Sequence, residues 1–183
     1  MDFTLVEKEL KERFLLFIKK YITLVKENNW EQFIKVVEQM FMGWEASYIY
    51  KLLMDADIDI LSKMHYIPHS FFLERQDIVN YKIPKHILSI NGAAFQNCTN
   101  LRTIYIPKSV ASIGFKAFYL CEQLKDIYYD GTYEEFQTIK FCGRFANPTI
   151  CNHNQVRLHC GDNYEDGRFF NPTLDDEDLL LPF

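Results

Sequence analysis

The chain has 183 residues, 48% of them hydrophobic, and a net charge of −5, which is enough apolar sequence for one core or two small ones. The charge is uneven: residues 162–183 hold seven acidic residues against Arg168 alone, a balance of −6, which leaves +1 on residues 1–161. A near-neutral body with an acidic end lacks the basic footprint of a general nucleic-acid binder, so direct nucleic-acid binding is not expected.

The start, Met1-Asp2-Phe3-Thr4, leads into charged amphipathic sequence rather than a basic start and an apolar run, so no secretory signal is read there. Residues 1–62 read as a helical domain. Thr4 and Glu7 make a capping-box pair at its entry. Leu10, Phe14, Phe17, Ile18, Tyr21, Leu24 and Val25 recur at spacings of one, three and four, the buried stripe of an amphipathic helix. Asn28-Asn29 ends that helix, and Asn29 caps the next, with Gln32 three residues on. Trp30, Phe33, Ile34, Val37 and Phe41 supply the second apolar face, with Gly43 as its stop. A third helix is predicted over about 45–55, with Tyr48, Ile49, Leu52 and Leu53 inward, before Asp55-Ala56-Asp57 breaks the pattern. No window approaches ~18 uninterrupted apolar residues, so no membrane span is expected.

From residue 63 the pattern changes to short apolar runs closed by Ile-Pro: Ile67-Pro68, Ile83-Pro84 and Ile106-Pro107. Proline stops a strand and forces a bend. A repeat of 23 residues underlies these runs. Phe95, Cys98, Leu101 and Ile104 return as Phe118, Cys121, Leu124 and Ile127, and a weaker copy matches Phe72 to Phe95, Ile78 to Leu101 and Ile83-Pro84 to Ile106-Pro107. A fixed period with apolar positions in register is the signature of a stacked-repeat architecture. Each unit reads as a strand, a proline corner, a second short strand such as Ser112-Ile113-Gly114, and an Ala-Phe segment of about one helical turn. One unit cannot bury its own apolar face, whereas stacking buries it against the next.

Three segments carry a family resemblance. They are Ile-Pro-x-Ser-Val-x-Ser-Ile-Gly from Ile106, Ala-Phe-x-x-Cys-x-x-Leu from Ala117, and Ile-x-Tyr-x-Gly-Thr from Ile127. Residues 67–160 resemble the BspA-type leucine-rich repeat. In that family a Tyr-x-Gly-Thr-x-x-x-Trp-x-x-Ile segment followed by Val-x-x-Cys commonly closes the array. The matching positions here are Tyr129, Gly131, Thr132, Phe136 in place of Trp, Ile139, and the run Val156-Arg157-Leu158-His159-Cys160, which has one residue more between Val and Cys. The resemblance implies an α+β chain: a helical N-terminal domain (1–62), then a short solenoid (63–161) of about three repeats with a C-terminal capping unit (129–161), then an acidic and apolar tail (162–183). It also implies protein binding rather than catalysis. The family occurs in bacterial surface proteins, parasitic protists and phage or mobile-element proteins. The few repeats and the helical start point towards a compact, cytoplasmic member, phage-encoded and acting in the host cytoplasm.

Alternation along a strand puts the residues between the buried Leu and Ile positions on the outer face of the sheet. Stacking then makes two columns, Asn80, Thr103, Asp126 and Lys82, Tyr105, Tyr128, with Arg102 and Lys125 beside them. Tyr and Arg are over-represented at energetically important interface positions, which makes these eight residues the candidate partner-binding face. The plainer reading is a set of solvated strand residues with the tyrosines stacked on each other.

Cys98 and Cys121, one repeat apart, read as small buried thiols rather than a disulfide. Cys142, Cys151, His153, His159 and Cys160 are too widely and irregularly spaced for a zinc motif. His65 and His69 flank Pro68, which disfavours a helical ligand pair, so they read as a strand-edge pair. No glycine-rich phosphate loop, nucleophile elbow or paired-carboxylate motif stands out, so no metal, cofactor or small-molecule substrate is expected. The tail ends Asp175-Asp176-Glu177-Asp178-Leu179-Leu180-Leu181-Pro182-Phe183, an acidic run and an apolar end that reads as packing back onto the body or docking into a partner.

The expected function is a non-catalytic binding module that occupies or inhibits a macromolecular partner inside the cell, as a phage-encoded inhibitor of a host defence protein would. The alternatives are a surface or structural interaction protein of the repeat family without its export signal, and a metal-dependent enzyme at the C-terminal Cys/His cluster.

Overall fold

The computed structural model describes residues 3–56, 58–143, 145–148, 156–161 and 168–169, with the side chains of all but 3–7 and 168–169. The chain divides into two compact units, Met1–Met64 and His65–Phe183.

The first unit holds α1 (Phe3–Lys26), α2 (Trp30–Met40), α3 (Trp44–Asp55) and a 3₁₀ turn at Leu61–Lys63. Helix α1 already includes Thr4, so it begins ahead of the residue expected to cap it; the Thr4 and Glu7 side chains lie outside the described residues. Leu10, Phe14 and Phe17 are buried, and the Phe17 ring meets Phe33 and Phe41 at 5.3 and 5.4 Å between centroids. Asn28 lets α1 end by taking a left-handed φ of 57°, a conformation its short polar side chain tolerates. Its Oδ1 accepts a hydrogen bond from Trp30 Nε1 at 2.8 Å. Asn29 caps α2 by accepting from the Gln32 amide at 3.3 Å. Helix α2 stops at Met40, and Gly43, at φ +53°, sits immediately ahead of α3 rather than at the end of α2. Helix α3 buries Ala46, Ile49, Tyr50 and Leu53, while Tyr48 and Leu52 are half-buried. That i, i+3, i+4, i+7 set turns the inward face by about a quarter turn from the expected one, because Ala46 and Tyr50 belong to it. No described helix is long and apolar enough to cross a membrane.

The second unit is built from short strands stacked at one-repeat intervals. Strands β1 (Tyr66–Ile67), β3 (Ser89–Ile90), β5 (Ser112–Ile113) and β7 (Lys140–Phe141) form a parallel four-stranded sheet. Strands β2 (Asn80–Lys82), β4 (Thr103–Ile106), β6 (Asp126–Tyr129) and β8 (Arg157–Cys160) form a second parallel stack, and β9 (Arg168–Phe169) adds to it antiparallel. Registers are direct: Ile67, Ile90, Ile113 and Phe141 pair in turn, as do Tyr81, Ile104, Ile127 and Leu158. Ile67-Pro68 therefore belongs to the four-stranded sheet, whereas Ile83-Pro84 and Ile106-Pro107 close strands of the other. The shared dipeptide had grouped positions that the 23-residue frame keeps apart. Pro84 and Pro107 do make corners, since their carbonyls accept from Ile87 and Val110 in tight turns.

The Ala-Phe segment is a third hydrogen-bonded face rather than a helical turn. Its amides alternate. Ala94, Gln96 and Cys98 donate back three residues within the repeat, while Ala93, Phe95 and Asn97 donate outward to Phe115, Ala117 and Tyr119 of the next. Ser70, Phe72 and Glu74 donate outward in the same way to Gly92, Ala94 and Gln96. The alternation turns on two left-handed residues per repeat, Ser70 and Glu74, then Ala93 and Asn97, then Lys116 and Leu120, all with φ between 55° and 62°. A helix would direct every amide inside its own unit; this backbone spends half of them on the neighbour.

The core runs along the stack axis. Phe72, Phe95 and Phe118 stack at 4.9 and 5.1 Å, with Leu101, Leu124, Ile104 and Ile127 fully buried beside them. Cys98 and Cys121 are buried free thiols. Each Sγ donates to a phenylalanine carbonyl of the preceding repeat, Cys98 to Phe72 at 2.9 Å and Cys121 to Phe95 at 3.0 Å. Burial pushes the Cys98 thiol up to about 12, so it stays protonated and able to donate. Gly114 is required by close approach: a Cβ there would lie 2.4 Å from the Gly92 nitrogen.

After β6 the period breaks. Thr132 and Glu135 form a capping box that starts α4 (Tyr133–Gln137). This helix places Phe136 and Ile139 inward, with the Phe136 ring 5.3 Å from Tyr129. Gly131 fits the closing motif because a Cβ would lie 2.5 Å from a Glu135 carboxylate oxygen and 2.6 Å from the Tyr129 ring.

Candidate functional site

The outer face of the five-stranded sheet brings the predicted columns together. Strand register sets Asn80, Thr103 and Asp126 side by side, and likewise Lys82, Tyr105 and Tyr128. Each column gains a fourth member from β8: Arg157 follows Asp126, and His159 follows Tyr128. Tyr105 and Tyr128 stack at 4.7 Å and 12°. Tyr128 and His159 stack at 4.4 Å and 13°. These separations sit close to the ~4.8 Å between neighbouring strands, so the backbone ladder itself sets the ring spacing. Exposure falls along the rail, from 36% at Tyr105 through a half-buried Tyr128 to 8% at His159.

Asp126 is the electrostatic hub. Arg157 holds it with two nitrogens, Nε at 2.8 Å and Nη2 at 2.9 Å, and His159 Nε2 lies 2.9 Å from Oδ1. A carboxylate can only accept, so Nε2 carries the proton and donates. His159 Nδ1 is buried without a partner among the described residues. Burial alone would raise the Asp126 value, but the hydrogen bonds from His159 and Arg157 and the guanidinium charge outweigh it, holding the carboxyl below its ordinary range. Arg157 and His159 are two apart on one strand, so both reach the same neighbour across the ladder.

Lys82, Arg102 and Lys125 are exposed beside the rail. A shallow recess at one edge is lined by Lys82, Lys85, Tyr105, Pro107, Tyr128 and Asp130, with Lys85 Nζ 3.5 Å from Asp130. All eight predicted face residues thus lie on or beside one surface. The sequence reading missed Arg157 and His159 as members of it. Paired residues of β6 and β8 lie 31 apart in the sequence instead of 23, which hides the fourth rung from a fixed-period search. The signal that could have found it was the motif Val-x-Leu-x-Cys read as a strand.

Of the C-terminal Cys/His set, Cys142 is exposed, Cys160 is half-buried, and His159 is engaged with Asp126. Cys151 and His153 lie outside the described residues, as does the tail apart from Arg168–Phe169, which pairs with β8. Among the described residues no group of three or more His, Cys, Asp or Glu is placed to hold a metal ion. His65 is exposed, and His69 Nδ1 lies 2.7 Å from Ser70 Oγ.

No curated protein matches the chain. Among solved structures, a leucine-rich cell surface protein from Faecalibacterium prausnitzii A2-165 is similar, with 33% identity over 43% of this chain and a TM-score of 0.42. The chain spans 21% of that protein's length. The family model described as the BspA type leucine-rich repeat region matches residues 47–156 in six copies. That match covers more than half of the sequence and contains the rungs described above from β1 to β7; the chain belongs to the BspA-type leucine-rich repeat family.

Proposed function

We propose that the chain is a non-catalytic protein-binding module. In this reading the second unit is a short solenoid closed by the α4–β8 segment, and the outer face of its five-stranded sheet is the contact surface. The observation that carries the reading is the rail Tyr105–Tyr128–His159: three rings pre-stacked by the strand ladder and partly open to solvent at Tyr105. Rigid aromatic side chains lose little freedom on binding, which is why interfaces use them. The family's usual role in protein interaction supports the same reading.

The finer form of the proposal is occupation or inhibition of a macromolecule in the cytoplasm, as a phage-encoded inhibitor of a host protein would do. The experiment is affinity capture from cell extract, followed by titration of the captured protein against the parent chain and a Tyr105→Ala/Tyr128→Ala variant. The double variant keeps its fold and binds weaker by about 2 kcal/mol or more if both rings are anchors. Equal affinity of a folded double variant would move the contact away from this face.

A further inference from the structure

Among the described residues, the outer sheet face carries more cations than it neutralises. Five exposed basic residues stand on it or at its edges: Lys82, Lys85, Arg102, Lys125 and Arg157. Lys85 faces Asp130 at 3.5 Å, and Arg157 is committed to Asp126. Among the described residues, both of the carboxylates at this surface are therefore taken. Lys82, Arg102 and Lys125 make no ion pair among the described residues; Lys82 pairs with Tyr105 at the head of the tyrosine rail, and Arg102 and Lys125 stand just ahead of Thr103 and Asp126 in the neighbouring column. Interfaces match potential with potential, so an uncompensated cationic rim selects for acidic partners and disfavours basic ones.

The rail decides between two acidic partner classes. A nucleic acid bound through aromatics needs an open ring face on which a base can stack. Tyr128 has Tyr105 on one face and His159 on the other, both within 4.7 Å and nearly parallel. Tyr128 therefore turns only its edge outward, and ring edges suit apolar side chains and hydrogen bonding at the phenol oxygen. The recess between Lys82, Lys85, Tyr105 and Tyr128 has room at that edge for one side chain.

We propose that this face binds an acidic protein segment, with an apolar or aromatic side chain seated in the recess and carboxylates met by Lys82, Arg102 and Lys125. The assignment rests on the protein-binding reading above and adds the chemistry of the partner.

The test is selection of displayed random short peptides on the full chain, followed by titration of a synthetic copy of the most enriched peptide. Enriched sequences carry net negative charge and at least one aromatic or large aliphatic residue. Binding of the synthetic peptide weakens as salt rises. It falls about tenfold in a Lys82→Glu/Arg102→Glu/Lys125→Glu variant, the size expected if each lost pair sits near the middle of the range for exposed ion pairs. The milder Gln triple variant, which removes charge without reversing it, loses less and guards against misfolding of the first. Neutral or basic enriched peptides, no enrichment, or a single-stranded DNA oligonucleotide that binds where peptides do not would overturn the proposal. Peptide binding lost on Tyr105→Ala/Tyr128→Ala but kept in both charge variants would overturn the acidic partner and leave the sheet-face reading standing. Binding indifferent to all of these variants would overturn both.

Discussion

At the residue scale, Asp126 does the most with one side chain. It sits in the middle of a face, yet it is mostly covered, and it satisfies an arginine and a histidine from the next strand. A carboxylate whose folded value lies below its unfolded one stabilises the fold at pH above the unfolded value. That contribution is lost as the pH falls through the folded value. Asp126→Asn should therefore cost about 1–3 kcal/mol near neutral pH, because the amide keeps one acceptor oxygen for Arg157 Nε and His159 Nε2 but turns an NH2 towards Arg157 Nη2 and removes the charge. The parent's advantage should shrink as the pH is taken below the ordinary carboxylate value of 3.8. Urea unfolding of both proteins across that range checks it. No gap at neutral pH would show that the Asp126 cluster does not stabilise the fold, and a gap that stays constant into acid would show that its contribution does not depend on the carboxylate charge.

At the scale of elements, the repeat is a backbone device as much as a packing one. Six non-glycine residues take left-handed φ at two fixed places per repeat, a conformation that costs an L-residue roughly 1–2 kcal/mol. Glycine removes that cost but loosens the unfolded chain. Glu74→Gly, at an exposed left-handed site, should therefore be neutral or stabilising by up to about 1 kcal/mol. Lys35→Gly, exposed in the middle of α2, should destabilise by about 1 kcal/mol. Thermal melts of the two variants decide it; equal losses would mean that the turn face is not strained. These turns could not be read from the sequence, because Ser70, Ala93 and Lys116 share a position but no chemistry. The apolar frame could be read, because Phe95, Cys98, Leu101 and Ile104 and their copies one repeat on are all interior and all fully buried. Helix faces were legible where one stripe dominates, as in α2. In α3 nearly every position is apolar or aromatic, and the inward face was misplaced by one residue.

At the scale of the whole molecule, the repeat unit converts a weak local pattern into a continuous surface. Stacking places like positions side by side, so substitutions at one repeat position write a column on the outside while the inside stays apolar. The tyrosine and mixed-charge columns were legible to Tyr128 and Asp126, since spacing alone specifies them. Their ends at His159 and Arg157 were not, because the inserted α4 segment shifts the last rung out of period. The account's central claim is that the outer face of the five-stranded sheet is where a protein partner sits. A photo-crosslinking phenylalanine analogue placed at Tyr105 tests it most directly. It is compared with the same analogue at Phe115, which is 50% exposed and lies outside that sheet. The account predicts an ultraviolet-dependent protein adduct from position 105 and none from position 115. An adduct from position 115 with none from position 105 would contradict it.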